Sequence, residues 1–252
     1  MSPTPFEYRF RFLLHGLIFA LGFGLVPSLD GFTTGILQAL GITTRSTWLI
    51  VASMLARQRL LTFSTATVLV LVLAILCMAL AAWLRVWGSA YVGAAIVQSP
   101  TMHAGPLLAD GPYRRTRNPL YLGTLLHTFG LAILMPPAGA LFTIALIWIL
   151  QLRLALAEEP FLTARYGQPY LDYIRAVPRF LPTPAAQVAS AGAAPHWLQA
   201  ILGELYFLGA LLTLCIFGWS FNAQPLQRGI LISLGVALIA RAFLPKPTHN
   251  DN

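Results

Sequence analysis

Long apolar runs separated by short polar breaks dominate the chain. Phe12 to Leu29, Ile36 to Ala56, Leu60 to Leu84, Pro119 to Met135, Ala138 to Ala157, Ala200 to Phe221 and Leu226 to Leu244 stand out. Crossing a hydrocarbon core of about 30 Å takes roughly 20 apolar residues. The pattern therefore predicts an all-α, polytopic integral membrane protein with about seven transmembrane helices. The first run has a charged flank (Glu7, Arg9, Arg11) but no clean small-x-small cleavage site after it, so it reads as a retained span. The second carries Thr43, Thr44 and Arg45 near its middle, where a bare charge is expensive. If residues 36–56 are re-entrant, the count is six. A crossing is favoured because the short Arg57-Gln58-Arg59 link is a normal helix-hairpin loop. Met135-Pro136-Pro137 removes amide donors and stops a helix, which predicts a core helical hairpin at 119–157.

Composition agrees with a bilayer as solvent. The 252 residues are 57% hydrophobic and 10% charged, against about 25% charged in an ordinary soluble domain. A net charge of +8 would suggest nucleic acid in a soluble protein. Here the arginines sit around the ends of apolar runs, which is a topology pattern, and no basic stretch with interleaved aromatics excepts itself from it. No nucleic-acid partner is expected. Cys77 and Cys215 fall inside predicted spans, and the histidines at 15, 103, 127, 196 and 249 lack ligand spacing, so no metal is expected. Arg85, Arg114, Arg115 and Arg117 share a side with Arg153, Arg165, Arg175 and Arg179, which makes that side cytoplasmic. The chain divides into N-terminal membrane helices (1–59), a core (60–182), an Ala/Pro/Ser-rich linker (183–199) and an appended helical pair with a tail (200–252).

Two polar segments interrupt this background, Asp110 to Gly123 and Glu158 to Pro182. Arg117 lies nineteen residues before Pro136, and Glu158 lies twenty-one after Pro137. Two helices rising about 1.5 Å per residue therefore return Glu158 nearly to the level of Arg117. The hairpin brings guanidinium groups, a paired carboxylate, tyrosines and an Asn to one membrane face, a set suited to a zwitterionic ligand. Arg114 and Arg115 are read equally as topology determinants touching headgroups. Arg117, at the mouth of a span, needs a partner, and Glu158 and Glu159 are the nearest. A purely structural ion-pair cluster is the alternative reading of that pair.

Gly-Pro-Tyr-Arg-x-x-Arg-Asn-Pro-x-Tyr-x-Gly from Gly111, followed by Glu-Glu-x-x-Leu-x-x-x-Tyr-Gly-x-x-Tyr-x-x-Tyr-x-x-x-Val-Pro-Arg-x-x-Pro from Glu158, resembles the isoprenylcysteine carboxyl methyltransferase family, itself related to membrane phospholipid methyltransferases. The similarity covers roughly residues 65 to 182. It implies an all-helical membrane fold, S-adenosylmethionine as methyl donor, and a cytoplasmic-face cofactor site reached by a lipid-like acceptor from within the bilayer. It also implies a cofactor pocket made of Gln98, the backbone of Gly105, Pro106, Leu107 and Leu108, Tyr113, Arg117, Asn118, Pro119, Tyr121, Glu158 and Glu159. Asn118 stands where the family usually has His, and an Asn hydrogen-bonds but does not titrate near neutrality.

Methyl transfer from a sulfonium asks mainly for positioning and exclusion of water. Arg117, Glu158 and Glu159 are the candidate catalytic residues, with Arg suited to the cofactor carboxylate and an acidic group to its ammonium. Arg153 is a candidate acceptor-headgroup contact. His127 is expected in a helix contact, Glu204 in a pairing with a neighbouring helix or near a helix end, and Phe161, Phe180, Tyr166, Tyr170 and Tyr173 in an interfacial belt. The leading reading is a methyltransferase of the isoprenylcysteine carboxyl type in fold, acting on a lipid-like or apolar acceptor whose identity the sequence leaves open. Phospholipid amines and small apolar S- or O-acceptors are alternatives, and a transporter or scaffold is the non-enzymatic one. The transporter lacks its usual sign, paired broken helices at mid-bilayer.

Overall fold

The computed structural model describes residues 5–23, 46–93, 96–97 and 110–244, and these are all-helical. The helices are α1 (Pro5–Arg9), α2 (Arg11–Gly22), α3 (Thr47–Arg57), α4 (Phe63–Val92), α5 (Pro119–Ala132), α6 (Pro137–Tyr166), α7 (Gln168–Ala176), α8 (Trp197–Gly203), α9 (Leu205–Ser220) and α10 (Ala223–Arg241), with a 3-10 turn at Gly111–Arg114. Residues 36–45 of the uncertain second run, together with Gln98 and Gly105 to Leu108, lie outside the described residues.

Among the described residues two helices, α4 and α6 at 30 residues each, are long and apolar enough to cross a membrane, and a third span exists if α8 and α9, bent by 65° at Glu204, count as one. The seven spans read from hydropathy are not shown among these residues, for a physical reason. Apolar runs do not all become long helices. The run at Pro119 to Met135 gives only the 14-residue α5, which ends at Ala132. The helices α2 and α3 are 12 and 11 residues long. Helix α10 has 19 residues but carries Gln224, Gln227, Arg228 and Arg241. The all-helical, bilayer-adapted architecture stands, with α4 and α6 as its long members.

Helix α4 is the axis of the molecule. Thr62 starts it by accepting a hydrogen bond from the Thr65 amide at 3.2 Å, and Gly93, with φ +91°, stops it. One side packs inward. Leu71, Ala74 and Met78 join Trp48 of α3, Leu131 of α5, and Ala210, Leu214 and Phe217 of α9 in one buried cluster. The other side, with Leu69, Val72, Leu73, Leu76, Leu80 and Trp83, is exposed and apolar, as a lipid-facing surface must be. Close approach of α5 to α4 depends on Gly123 and Gly130. A methyl group at either would collide with Arg85 or Met78 and meet the Ala81 or Ala74 carbonyl.

The α5–α6 hairpin turns where the prolines place it, with Pro137 at the first position of α6. The end of α5 is capped from outside, since the Thr47 and Trp48 amides of α3 donate to the Met135 and Ile133 carbonyls at 2.8 Å each. Helix α6 runs on past the expected end at Ala157 to Tyr166, straight through Pro160. Glu158 and Glu159 thus lie on the same continuous helix that starts at the proline turn.

Candidate active site

The return of the hairpin places the acidic pair beside the Arg-Asn-Pro turn. Arg117 Nη1 donates to Glu159 Oε1 at 2.7 Å, and Arg179 grips the same carboxylate through Nε at 2.8 Å and Nη2 at 2.9 Å. Arg179 comes from the Val-Pro-Arg end of the second segment. Asn118 fixes it, donating from Nδ2 to the Arg179 carbonyl at 3.0 Å, while the Arg117 amide donates to the Pro178 carbonyl at 2.8 Å. The Glu159 carboxylate pushes the Arg179 guanidinium above its ordinary value, by hydrogen bonding first. Glu158 faces elsewhere. It accepts a short hydrogen bond from the Tyr121 hydroxyl, with Arg11 and Tyr8 from α2 and α1 beside it.

Tyr113 lies in the 3-10 turn. Gly111 opens that turn with φ +55°, and a side chain there would enter the Tyr91 ring. Burial pushes the Tyr113 phenol well up, and its hydroxyl has no hydrogen-bond partner. Its backbone is locked, because the Tyr173 hydroxyl donates to the Tyr113 carbonyl at 2.9 Å. Tyr170 and Tyr173 of α7 are buried with Val177, so they form a packed wall of the site and not the interfacial belt read from sequence. Burial pushes the Tyr170 phenol up to about 12.

The segment after Pro182, expected as a linker, is strapped across the turn. Thr183 and Gln187 amides donate to the Arg115 and Arg114 carbonyls at 3.0 and 2.8 Å, and Arg114 Nε returns a bond to the Val188 carbonyl at 2.9 Å. Asp110 anchors the far end. It accepts from the Ser190 hydroxyl, from the Ala191 amide at 3.1 Å and from the Ala193 amide at 2.8 Å. Burial pushes the Asp110 carboxyl up, but these donors outweigh it and hold the group below its ordinary value. Arg114 and Arg115 thus position the turn through their backbones.

All of this surrounds a cavity of about 580 Å³, lined by Tyr113, Arg117, Asn118, Pro119, Tyr121, Glu158 and Glu159 on its polar side. Apolar residues of α2 and α10, among them Phe12, Phe19, Leu234 and Leu238, line the rest. The volume suits a small-molecule site. The Tyr113 hydroxyl and Arg117 Nε have no protein partner although buried, and a buried polar group in a native site needs one. Arg153 is elsewhere. It pairs with Glu7 at 2.8 Å and is not among the lining residues.

Arg179 stood within the Val-Pro-Arg match but was read there only as a topology marker, as was Arg85. Glu204 pairs with a neighbouring helix as the sequence led one to expect: it forms a buried pair with Arg85 of α4 at 2.8 Å, with Ser89 donating a hydrogen bond to Glu204 and Thr124 accepting one from Arg85. Among the described residues no cluster of His, Cys, Asp and Glu fits a metal.

The segment 69–169 matches the model of the phospholipid methyltransferase family, a family related to the isoprenylcysteine carboxyl methyltransferases. It contains Tyr113, Arg117, Asn118, Tyr121 and both glutamates of the pair. No curated protein and no solved structure matches the chain. The match over residues 69–169 marks the chain as a membrane methyltransferase whose methyl donor is S-adenosylmethionine.

Proposed function

We propose that the protein methylates the headgroup amine of a lipid drawn from the bilayer into this cavity. The observation that carries the reading is the difference between the two neighbouring carboxylates. Glu159 is neutralised by two guanidinium groups, whereas Glu158 lies on the cavity wall, held by tyrosine hydroxyls with the single guanidinium of Arg11 near it. Such a carboxylate favours a cationic amine and disfavours an anionic acceptor.

Bound S-adenosylmethionine supplies a methyl group already activated on a sulfonium. Arg117, whose buried Nε has no protein partner, would hold the cofactor carboxylate. The Tyr113 hydroxyl, also without a protein partner, would hydrogen-bond to the cofactor, and Tyr121, Asn118 and Pro119 would complete that wall. Gln98 and the backbone of Gly105 to Leu108 are assigned to the same pocket by the resemblance alone. Glu159 holds Arg117 and Arg179 in place. Glu158 would take the proton from the headgroup ammonium and so free the nitrogen lone pair to accept the methyl group, the carbon–sulfur bond of the donor breaking with its electron pair left on sulfur. The apolar walls exclude water from the displacement. Arg153, tied to Glu7, secures α1 against α6. The charge pattern favours the cytoplasmic face for the polar end.

A carboxylate acceptor of the isoprenylcysteine type is the second reading, favoured by the paired motifs and by Arg11 and Arg241 on the cavity wall. It needs no base, since a carboxylate is ionised at neutral pH. Membranes containing the protein, incubated with methyl-labelled cofactor, separate these readings. Label in alkali-stable headgroup amines is expected. Base-labile methyl esters would replace the amine by the carboxylate, volatile thioethers would point to a small apolar thiol, and no incorporation with no cofactor binding would overturn the assignment.

A further inference from the structure

The cavity has a second polar region that the motif residues do not reach. Gln151 precedes Glu158 by seven residues on α6, and His127 follows Tyr121 by six on α5. At 1.5 Å per residue both lie about 10 Å farther along the hairpin, toward the Pro136-Pro137 turn. Both line the cavity and are almost fully buried, Gln151 1% and His127 2% exposed.

Their hydrogen bonds can be assigned. His15 of α2 places Nδ1 against the Arg11 carbonyl, which only accepts, so Nδ1 carries the proton and Nε2 holds a lone pair. Gln151 therefore donates from Nε2 to His15 Nε2 at 2.9 Å, which leaves Gln151 Oε1 as an acceptor with no donor. His127 Nε2 stands 3.4 Å from the Tyr206 hydroxyl. The other ring nitrogen of His127, Nδ1, has no hydrogen-bond partner. Gln151 touches His15, and His127 packs against Phe19, one turn farther along the same face of α2. The cavity wall thus holds two unmatched polar atoms, Gln151 Oε1 and His127 Nδ1, on the neighbouring helices α6 and α5. A buried pair left so carries its full desolvation cost, and an intramembrane polar group of this kind is a functional site by default.

We infer that Gln151 and His127 form a second subsite that binds a hydroxyl or secondary amide of the lipid acceptor, about 10 Å from the atom that is methylated. A group of this class both donates and accepts. Ester carbonyls only accept, so a plain diester lipid leaves Gln151 Oε1 bare. The lipid selected is one with a hydroxyl or amide where headgroup meets chain, and Phe12, Phe19, Leu234 and Leu238 take the chain beyond. His15, Phe19 and Tyr206 all lie outside residues 69–169, so this selectivity belongs to the parts of the chain around the matched domain. The acceptor assignment rests on the methyl-transfer reading; the subsite itself does not.

The test uses the purified full chain saturated with S-adenosylmethionine, which covers the polar end of the cavity, and labelled dodecan-1-ol, 1-methoxydodecane and dodecane as probes. The alcohol is expected to bind roughly tenfold more tightly than the ether or the alkane, because it alone donates to Gln151. In Gln151→Met the preference for alcohol over ether should fall to about twofold or less, and in His127→Leu the advantage of the alcohol over dodecane should fall. Equal binding of alcohol and ether by the unaltered protein overturns the subsite without recourse to any variant, and so does an undiminished preference in either variant. If the alcohol preference holds while no lipid is ever labelled, the subsite stands and the methyl-transfer reading falls. If lipids are labelled and the preference is absent, the reverse follows.

Discussion

Glu158 and Glu159 are neighbours with different work, and single-atom substitutions should separate them. Glu158→Gln keeps the shape and a hydrogen bond to Tyr121 but removes the charge and the proton acceptor. Turnover should fall about 10²- to 10⁴-fold, the usual contribution of a positioned acid or base, with thermal stability nearly unchanged. Glu159→Gln instead leaves Arg117 and Arg179 facing each other across a neutral amide. With side chains of Arg117 and Glu159 only 12% and 18% exposed, the loss should be about 1.5 to 3 kcal/mol of stability, typical of a hydrogen bond to a charged group. Thermal unfolding and turnover measured side by side decide this. Equal stability loss in both variants would mean that Glu158 is as structural as Glu159. The acidic pair itself was legible in the sequence, because the spacing to the two prolines fixes its height against Arg117. The division of labour was not, because it depends on which way each side chain points from adjacent positions of α6.

At the scale of elements, helix spacing was readable and the strap over residues 183–193 was not. Ala, Pro and Ser there carry no apolar periodicity, so the composition reads as a linker. What holds the segment is backbone hydrogen bonding to Arg114 and Arg115 and the Asp110 carboxylate, which no pattern of side chains announces. The seven spans read from hydropathy are not shown among the described residues for a related reason. Hydropathy reports the length of an apolar run, but α5 stops at Ala132 and α8 breaks from α9 at Glu204, where the Arg85 pairing holds the bend. The Asp110 anchor has a pH signature. Its folded pKa lies below the ordinary value of 3.8, so its contribution is fully present above about pH 4 and is lost as pH falls through the lower folded value. Asp110→Asn should therefore lower the unfolding temperature at pH 7, and the gap to the unaltered protein should close on acidification. A gap that stays constant from pH 7 to pH 3 would show that the charge of Asp110 does not hold the strap.

Across the whole molecule, the C-terminal helices belong to the same body as the matched domain. Ala210, Leu214 and Phe217 sit in the central cluster with Leu71 and Met78, and Glu204 receives both Nε and Nη2 of Arg85, at 2.8 and 2.9 Å. Arg85 also donates to Thr124 at 3.2 Å and packs its guanidinium over the Phe207 ring at 4.4 Å. The pair therefore joins α4 and α5, which carry the site, to the bend between α8 and α9. Its side chains are 11% and 2% exposed, so each charge is compensated mainly by the other. Removing one partner of a buried ion pair typically costs about 3 to 5 kcal/mol because the remaining charge is stranded, whereas replacing both with apolar residues of similar size is often close to neutral. Glu204→Met and Arg85→Met should each destabilise by that amount and weaken cofactor binding as α5 shifts. The double variant should recover most of the stability. Unfolding temperatures of the four proteins, with cofactor affinity measured on each, form the cycle. If the two single losses simply add in the double variant, the pair is not coupled. The C-terminal helices would then be held by apolar packing alone, and Arg85 would act on the site through Thr124 without help from Glu204.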